Sequence, residues 1–492
     1  MKKRIPALFF LFLISLLNRF AAAQTDSITS VSSAPRWKRT VEIGGWAGAE
    51  RTPFWLQAAQ WGIVPRQTPA ATLRLGLRRT YAPVDSTSGK RLRWTVGIET
   101  VANLGRRSQV LLPEAFAGVR YGILELWGGR RRQIIGITDS TLSSGSYTVS
   151  GNALPIPQVQ ISTPDFVPLG FLGRAVALKG HFSHGWFNVP YIQKAFLHTK
   201  SLHGRFGRPE SPVHFFVGLN HAVQWAGEAE YLKTSPYAVN GKLTNNFGDY
   251  LSGVILGRIP KDWQNDRFTS FDGANRIGNH LGHYDLAVSL TRPRSAWLLY
   301  LQHPYEDATG LVWRNGLDGL YGLSWQNRTV GNTGFRWERV VVEYLNTMNQ
   351  AGRTFDIPGS RFKGGDNYFN HGQYIEGWSY FGRSIGTPLF VPDRDLASSL
   401  NGYFFPSNLN RGYYAAVGLS AGSRFRAQAR VLYQQHNGAS GSPFRESRRQ
   451  TSIGIQGSYG TRFGSVNAAF AFDRGGYLPV GAGAFLSFRR DW

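Results

Sequence analysis

The chain ends in Gly483-Ala-Phe-Leu-Ser-Phe-Arg-Arg-Asp-Trp492, an alternating segment that runs to the last residue and stops on an aromatic side chain. Counted back from Trp492 in steps of two, Arg490, Phe488, Leu486, Ala484 and Ala482 share one face, while Asp491, Arg489, Ser487 and Gly483 share the other. A period of two is that of a strand. One apolar and one polar face suit a wall between lipid and water. A soluble β-domain whose edge strand comes last would show the same pattern, so the rest of the chain has to decide.

The other end points outward. Lys2, Lys3 and Arg4 precede an apolar run from Pro6 to Leu17, and Ala21-Ala22-Ala23 follows as a small-residue cleavage site. This reads as a secretory signal peptide over 1–23, with the mature chain, 24–492, beginning at Gln24 in the periplasm. About twelve apolar residues are too few for a spanning helix, which needs ~20. Beyond residue 23, Arg, Lys, Asp, Asn or Gly interrupts every apolar run. Insertion in a membrane must therefore be as a closed barrel. A C-terminal strand closing on Phe or Trp resembles the sorting signal of bacterial outer-membrane barrels, from whose apolar pattern Arg490 departs; through Trp492 that strand would engage the outer-membrane assembly machinery. Cysteine is absent, which removes disulfides and thiol chemistry. The 58 Gly, 15 Trp, 21 Tyr and 32 Phe supply what tight turns and interfacial girdles use.

Alternation is cleanest near the end. Phe425, Ala427, Ala429, Val431 and Tyr433 oppose Arg426, Gln428 and Arg430, and Val466, Ala468, Phe470 and Phe472 oppose Asn467 and Asp473. Noisier runs lie at 93–101, 213–223, 297–302, 339–345 and 413–420. Asn240-Gly241, Asn401-Gly402, Asn437-Gly438 and Asp272-Gly273 read as turns between strands. No internal repeat suggests a propeller or solenoid. Strands of ~10 residues with turns and longer outer loops give roughly 16 to 18 strands. The expected fold class is all-β: a single transmembrane antiparallel barrel of about 18 strands with a small periplasmic or plug element. In Leu154–Leu169 four prolines argue against a central strand, so that segment is expected to be a loop, a periplasmic element or a plug.

The formal net charge is +25, of which Lys2, Lys3, Arg4 and Arg19 lie at the extreme N-terminus. A positive mouth would attract an acidic polymer or anions; basic residues at the rim would equally meet lipopolysaccharide phosphates. Dispersed Arg and Lys on a secreted chain argue against nucleic acid. His280 and His283, like His181 and His184, have H-x-x-H spacing, but on a strand each pair points to opposite faces. No metal site or cofactor is expected. Glu306 and Asp307 are adjacent and would diverge on extended chain, whereas a glycosidase needs two converging carboxylates. Convergence with Asp318, Glu343 or Asp366 stays open. Neither Ser324 nor Ser379 sits in a Gly-x-Ser-x-Gly elbow.

Several long motifs suggest a family. They are 150–164 (Ser-Gly-Asn-Ala-Leu-Pro-Ile-Pro-Gln-Val-Gln-Ile-Ser-Thr-Pro), 179–187, 194–201, 275–280, 302–307, 318–324, 366–374 (Asp-Asn-Tyr-Phe-Asn-His-Gly-Gln-Tyr) and 377–388 (Gly-Trp-Ser-Tyr-Phe-Gly-Arg-Ser-Ile-Gly-Thr-Pro). Together they resemble the Wzi-type capsule assembly proteins of the Bacteroidetes over nearly the whole mature chain. The resemblance implies an outer-membrane barrel of about eighteen strands with a helical element on its periplasmic side. It also implies a non-catalytic surface lectin that holds exported capsular polysaccharide on the cell. Aromatic faces pack on sugar C–H groups and polar side chains pair with hydroxyls. On that chemistry Tyr368, Asn370, His371, Tyr374, Trp378, Tyr380 and Arg383 are the candidate glycan-binding residues. The same residue types also build girdles and barrel interiors. The alternative function is an anion-preferring porin or polysaccharide conduit, and an outer-membrane enzyme on lipid or glycan is a third.

Overall fold

The computed structural model describes residues 37–81, 92–260, 266–329, 331, 334–354 and 364–492. The expected leader, 1–23, and Gln24 lie outside the described residues. Eighteen antiparallel strands form one closed sheet. In chain order they are β1 (Trp37–Gly48), β2 (Ala70–Arg79), β3 (Arg93–Gly105), β4 (Gln109–Tyr121), β5 (Leu124–Arg130) and β6 (Gln158–Ser162). Next come β7 (Val176–Trp186), β8 (Gln193–Phe206), β9 (Val213–Glu228), β10 (Asn279–Thr291), β11 (Ser295–Tyr305) and β12 (Gly319–Asn327). The last are β13 (Phe335–Asn346), β14 (Asn410–Ala421), β15 (Phe425–Ala439), β16 (Ser442–Gly460), β17 (Ser465–Gly475) and β18 (Gly481–Asp491). Each pairs with its neighbours in sequence, and β18 returns to β1 with Ile43 opposite Phe488 and Trp46 opposite Phe485. The seam is finished by paired backbone bonds between Arg39 and Trp492, of 2.8 and 3.1 Å.

Closure matters because lipid offers no partner for a free strand edge. The outward residues match that solvent: Val41, Ile43, Leu73, Leu75, Phe215, Val217, Ile453 and Ile455 are all exposed. In water so broad an apolar belt would drive association; in a bilayer it is the lipid-facing surface. Aromatic girdles bound it. Trp37, Trp94, Trp297, Trp325 and Trp337 lie towards one rim, and Tyr321, Tyr344, Tyr413 and Tyr433 form a row across β12 to β15 at the other, with centroids 5.1 to 6.3 Å apart. Arg490 sits at the rim where β18 ends, its guanidinium 5.8 Å from the Trp492 ring. A long cationic side chain at that depth reaches the interface, which accounts for its departure from the apolar pattern.

The two rims differ. Short turns such as 122–123, 292–294 and 422–424 lie at the end where β1 starts and β18 finishes. Connections 49–69, 131–157, 229–278 and 347–409 lie at the other. Short turns face the periplasm and long loops face out, so the second end is the outer one. Part of connection 229–278 covers the barrel's outer wall, where Val223, Trp225, Val254, Phe268 and Ile277 form a small buried cluster. Parts of 49–69, 131–157 and 364–409 instead turn into the lumen. The main apolar core is therefore inside the barrel, with Phe54, Trp55, Leu142, Tyr147, Tyr368, Trp378, Phe390 and Phe405 buried together.

The alternation read from β15 and β17 is present as stated, with Val431, Val466 and Phe470 exposed and Asp473 buried. Other expectations require correction. Within Leu154–Leu169, Pro155, Pro157 and Pro164 flank a strand, Gln158–Ser162, and Pro168 lies in a two-residue strand, Val167–Pro168, that pairs with β7. Gln158–Ser162 pairs with β5 on one side and β7 on the other. The turn signals are also displaced. Asn437-Gly438 lies inside β15 as a bulge, Asp272 caps a short helix, Ser270–Ala274, and Asn240-Gly241 and Asn401-Gly402 lie within long connections. A helical element on the periplasmic side is not found among the described residues, where that rim holds only the turn Gly170–Leu172; the other helical turns belong to outer connections.

Leu486 is central on β18 and 61% exposed on the lipid face. Leu486→Arg should destabilise the barrel by about 2–4 kcal/mol, seen as a lower unfolding temperature in the heat-modifiability assay of outer-membrane barrels. Exchange of Arg490 for Leu at the rim should shift it little.

Candidate functional site

The lumen is built to receive its plug. Inward side chains of the strands accept or donate hydrogen bonds to plug backbone that would otherwise be buried without partners. Gln302 Oε1 accepts from Tyr147 N at 2.7 Å, Asp285 Oδ1 from Ile137 N at 3.0 Å, and Glu343 Oε2 from Ser144 N at 2.8 Å. Gln434 Nε2 donates to Leu389 O at 2.8 Å, and Asp473 Oδ2 accepts from Phe54 N at 2.7 Å. A charged ladder ties connection 131–157 to the wall: Arg74 on β2 and Arg132 both reach Glu99 on β3, at 2.8 and 3.0 Å.

One element of the plug turns back towards the outside. Ser379–Tyr380 and Arg383–Ser384 pair as a small hairpin. Its two-residue loop, Phe381-Gly382, has φ of +48° and +73°, the pattern of a type I′ turn. Gly382 takes the positive φ without a Cβ penalty, and the Arg394 guanidinium lies against it. Phe381 holds the same hand of φ at some cost, and its ring remains 47% exposed.

The hairpin tip forms part of the wall of an outer cleft of about 1110 Å³. Phe54, Tyr380, Phe381 and Phe390 supply rings, and Arg51, Arg107, Arg130 and Arg383 supply guanidinium groups. Tyr380 accepts a hydrogen bond from Arg130 Nη2 at 3.2 Å. Arg383 donates to Gln57 Oε1 at 2.9 Å and Val64 O at 2.8 Å, which fixes the hairpin to connection 49–69. A second cavity, about 880 Å³, lies on the periplasmic side between Trp46, Phe485, Arg339 and Arg426. Val64 borders both cavities, so the stretch Phe54–Val64 is the partition between them. Its anchors include Trp55 Nε1 to Ser452 O at 3.1 Å and Trp61 N to Gly151 O at 2.6 Å.

Of the residues selected from sequence, the structure brings Tyr380 and Arg383 to the cleft. It does not bring the others there. Tyr368 is fully buried, accepting from Asn315 Nδ2 at 2.8 Å and donating to Asp318 Oδ2 at 3.2 Å. Asn370 pairs twice with the Phe405 backbone, at 2.9 and 3.0 Å. Tyr374 donates to Ala226 O at 2.9 Å and Trp378 to Thr148 O at 2.8 Å. His371 is half-buried, edge-on to Phe271. These five hold the plug. Sequence reasoning missed Arg51, Arg107, Arg130 and Phe381. Phe381 adjoins Gly382 in a quoted motif, but connections that are far apart in sequence bring the arginines together.

The histidine pairs point as strand geometry requires. His283 faces the lumen, bonded to Thr148 at 2.7 Å, and His280 faces the outer wall, bonded to His221 at 2.9 Å. No group of three metal-ligating side chains is found among the described residues. Three of the carboxylates weighed for hydrolysis accept from loop backbone: Glu306 from Phe369 N at 3.0 Å, Glu343 from Ser144 N, and Asp318 from Asn349 N and Gln350 N at 3.0 and 2.7 Å. Asp307 caps its own helical turn through Thr309 N at 2.7 Å, and Asp366 lies near Glu306, Asp307 and Asp318 with a buried Oδ2 that has no hydrogen-bond partner among the described residues.

Comparison with known proteins fits this architecture. A family model described as capsule assembly protein Wzi matches residues 79–441. The chain belongs to the Wzi capsule assembly family. Among solved structures it resembles Escherichia coli Wzi, described as an outer membrane protein involved in group 1 capsule assembly and a carbohydrate binding beta-barrel. That likeness has a TM-score of 0.54 at 14% identity, over 91% of this chain and 83% of that one. OprD from Pseudomonas aeruginosa is also similar, with a TM-score of 0.43 at 9% identity over 93% of each chain. No curated protein matches the sequence. At these identities the structural likeness concerns the fold, which in the Wzi family is an outer-membrane barrel.

Burial, opposed by hydrogen bonds from Gln350 N, Asn349 N and the Tyr368 hydroxyl, pushes the Asp318 carboxyl up to about 6. An unperturbed Asp titrates near 3.9, so the folded plug holds this proton more tightly than the unfolded chain does. The associated stability is complete below about pH 4 and is lost as pH rises through about 6. Segment 364–409 should therefore exchange its amides faster at neutral pH than in mild acid, after correction for intrinsic rates. Asp318→Asn should flatten that dependence.

Proposed function

We propose that this protein is a non-catalytic outer-membrane lectin that holds capsular polysaccharide at the cell surface. The observation that carries the reading is the outer cleft, in which exposed and buried rings alternate with guanidinium groups above a filled lumen. Ring faces pack against sugar C–H groups, and arginine donates to ring oxygens and hydroxyls. Family membership supports the same role, as does the carbohydrate binding attributed to Escherichia coli Wzi. The binding set narrows to Tyr380, Phe381 and Arg383 with Arg51, Arg107 and Arg130. In this reading 1–23 is a cleaved leader, 24–492 is the mature barrel, the strand ending at Trp492 engages the assembly machinery, and lipopolysaccharide surrounds the outer girdle.

The conduit alternative has one feature in its favour, the periplasmic cavity separated from the cleft by Phe54–Val64. It would need that partition to move against the anchors of Trp55, Trp61 and Arg383. Purified protein in planar bilayers should therefore stay electrically silent; steady anion-selective steps would support the conduit.

Binding of detergent-purified protein to its own cell's capsular polysaccharide, by calorimetry or pulldown, tests the lectin reading. Phe381 is about half exposed and packs edge-on against Tyr380 within the hairpin, so Phe381→Ala should leave the barrel and plug folded and weaken binding by about 1–2 kcal/mol, roughly five- to thirtyfold. Absence of any binding by the wild-type protein would remove the lectin reading.

A further inference from the structure

The cleft holds more positive charge than its own carboxylates match. Seven arginine side chains and three carboxylates line it. Three of the arginines are paired: Arg66 with Asp395, Arg106 with Glu50 at 2.6 Å, and Arg394 with Glu376 at 2.6 Å. Arg51, Arg107, Arg130 and Arg383 have no carboxylate partner among the described residues. Arg51 donates to the backbone carbonyls of Arg394 and Leu396, at 2.6 and 3.1 Å, and Arg130 lies 5.9 Å from the Tyr380 ring centroid. Arg383 is 8% exposed, and its two side-chain acceptors, Gln57 Oε1 and Val64 O, are neutral. Burial and the nearby Arg66 lower its guanidinium to about 9, against the opposing charge of Asp395, which is itself paired with Arg66.

A buried guanidinium without a counter-charge is costly, and a concave site with an excess of one sign concentrates ligands of the other. Resting on the lectin reading, we infer that the cleft selects an acidic glycan, whose carboxylate groups pair with Arg383, Arg130, Arg51 and Arg107 while its ring faces stack on Tyr380 and Phe381. Arginine presents a planar fork that matches a carboxylate in two parallel hydrogen bonds. The lipopolysaccharide phosphates are the other anion at this surface. The cleft favours the glycan because its guanidinium groups are interleaved with rings, and Arg383 lies beneath the hairpin tip, away from the lipid-facing wall. Neutral sugar would leave the unpaired guanidinium groups without counter-charge, so discrimination against it should be large.

The test uses full-length protein in detergent with polygalacturonate and with the same polymer after reduction of its carboxyl groups. Polygalacturonate should bind, more weakly as salt is raised, and the reduced polymer should bind at least about tenfold more weakly. Arg107 is exposed and makes no hydrogen bond among the described residues, so Arg107→Glu should keep the fold and reduce polygalacturonate binding by about tenfold or more. Arg383→Gln should narrow the gap between the two polymers. Equal binding of both would overturn acid selection and leave a lectin for neutral sugar. Failure of polygalacturonate to bind protein that does bind its own cell's capsule would overturn acid selection alone; failure of the capsule itself removes the parent reading. Competition by intact but not by dephosphorylated lipopolysaccharide would reassign the arginines to phosphate.

Discussion

A backbone amide or carbonyl withdrawn from water needs a partner, and this structure meets that demand twice. Against lipid it does so by closing the sheet, so that β1 and β18 leave no edge. Inside the ring it does so through side chains. Asp285, Gln302, Glu343, Gln434 and Asp473 project from the strands and serve as partners for plug segments that have little regular structure of their own. Because the partners are fixed on a rigid wall, the plug can be irregular and still well defined.

That arrangement explains how a surface site can be precise without a long regular element behind it. The hairpin carrying Tyr380, Phe381 and Arg383 has only two residues per strand. Its position comes from what it touches: Arg383 on Gln57 and Val64, Tyr380 beneath Arg130, and Gly382 against Arg394. The same bonds close Phe54–Val64 over the periplasmic cavity. Holding the cleft and sealing the barrel are thus one set of interactions, which favours attachment over transport.

The wall was legible in the sequence because strand alternation is local. The faces of β15, β17 and β18 follow from side-chain parity alone, and lack of any long apolar run left closure as the sole way into a membrane. The contents of the barrel were not legible in that way. Asn437-Gly438 has the residues of a hairpin turn yet forms a bulge, because β15 and β16 continue past it to Ala439 and Ser442. The proline spacing around Gln158–Ser162 leaves room for five residues of strand, a length set by tertiary pairing. Among the candidate binding residues, nothing local separates Trp378, buried against Thr148, from Tyr380 at the cleft. Both are aromatic residues of one motif, and the difference arises from where a distant connection, 131–157, occupies the lumen.

The central claim is that polysaccharide is held in the outer cleft of a sealed barrel. Amide hydrogen exchange of the full-length protein, with and without its cell's capsular polysaccharide, tests it most directly. The account predicts slower exchange confined to 49–67, 105–112 and 380–397, the backbone around the cleft, with the periplasmic cavity unchanged. Protection spread around Arg339, Arg426 and Asn467 on the periplasmic side, or none anywhere despite measured binding of the polymer, would contradict it.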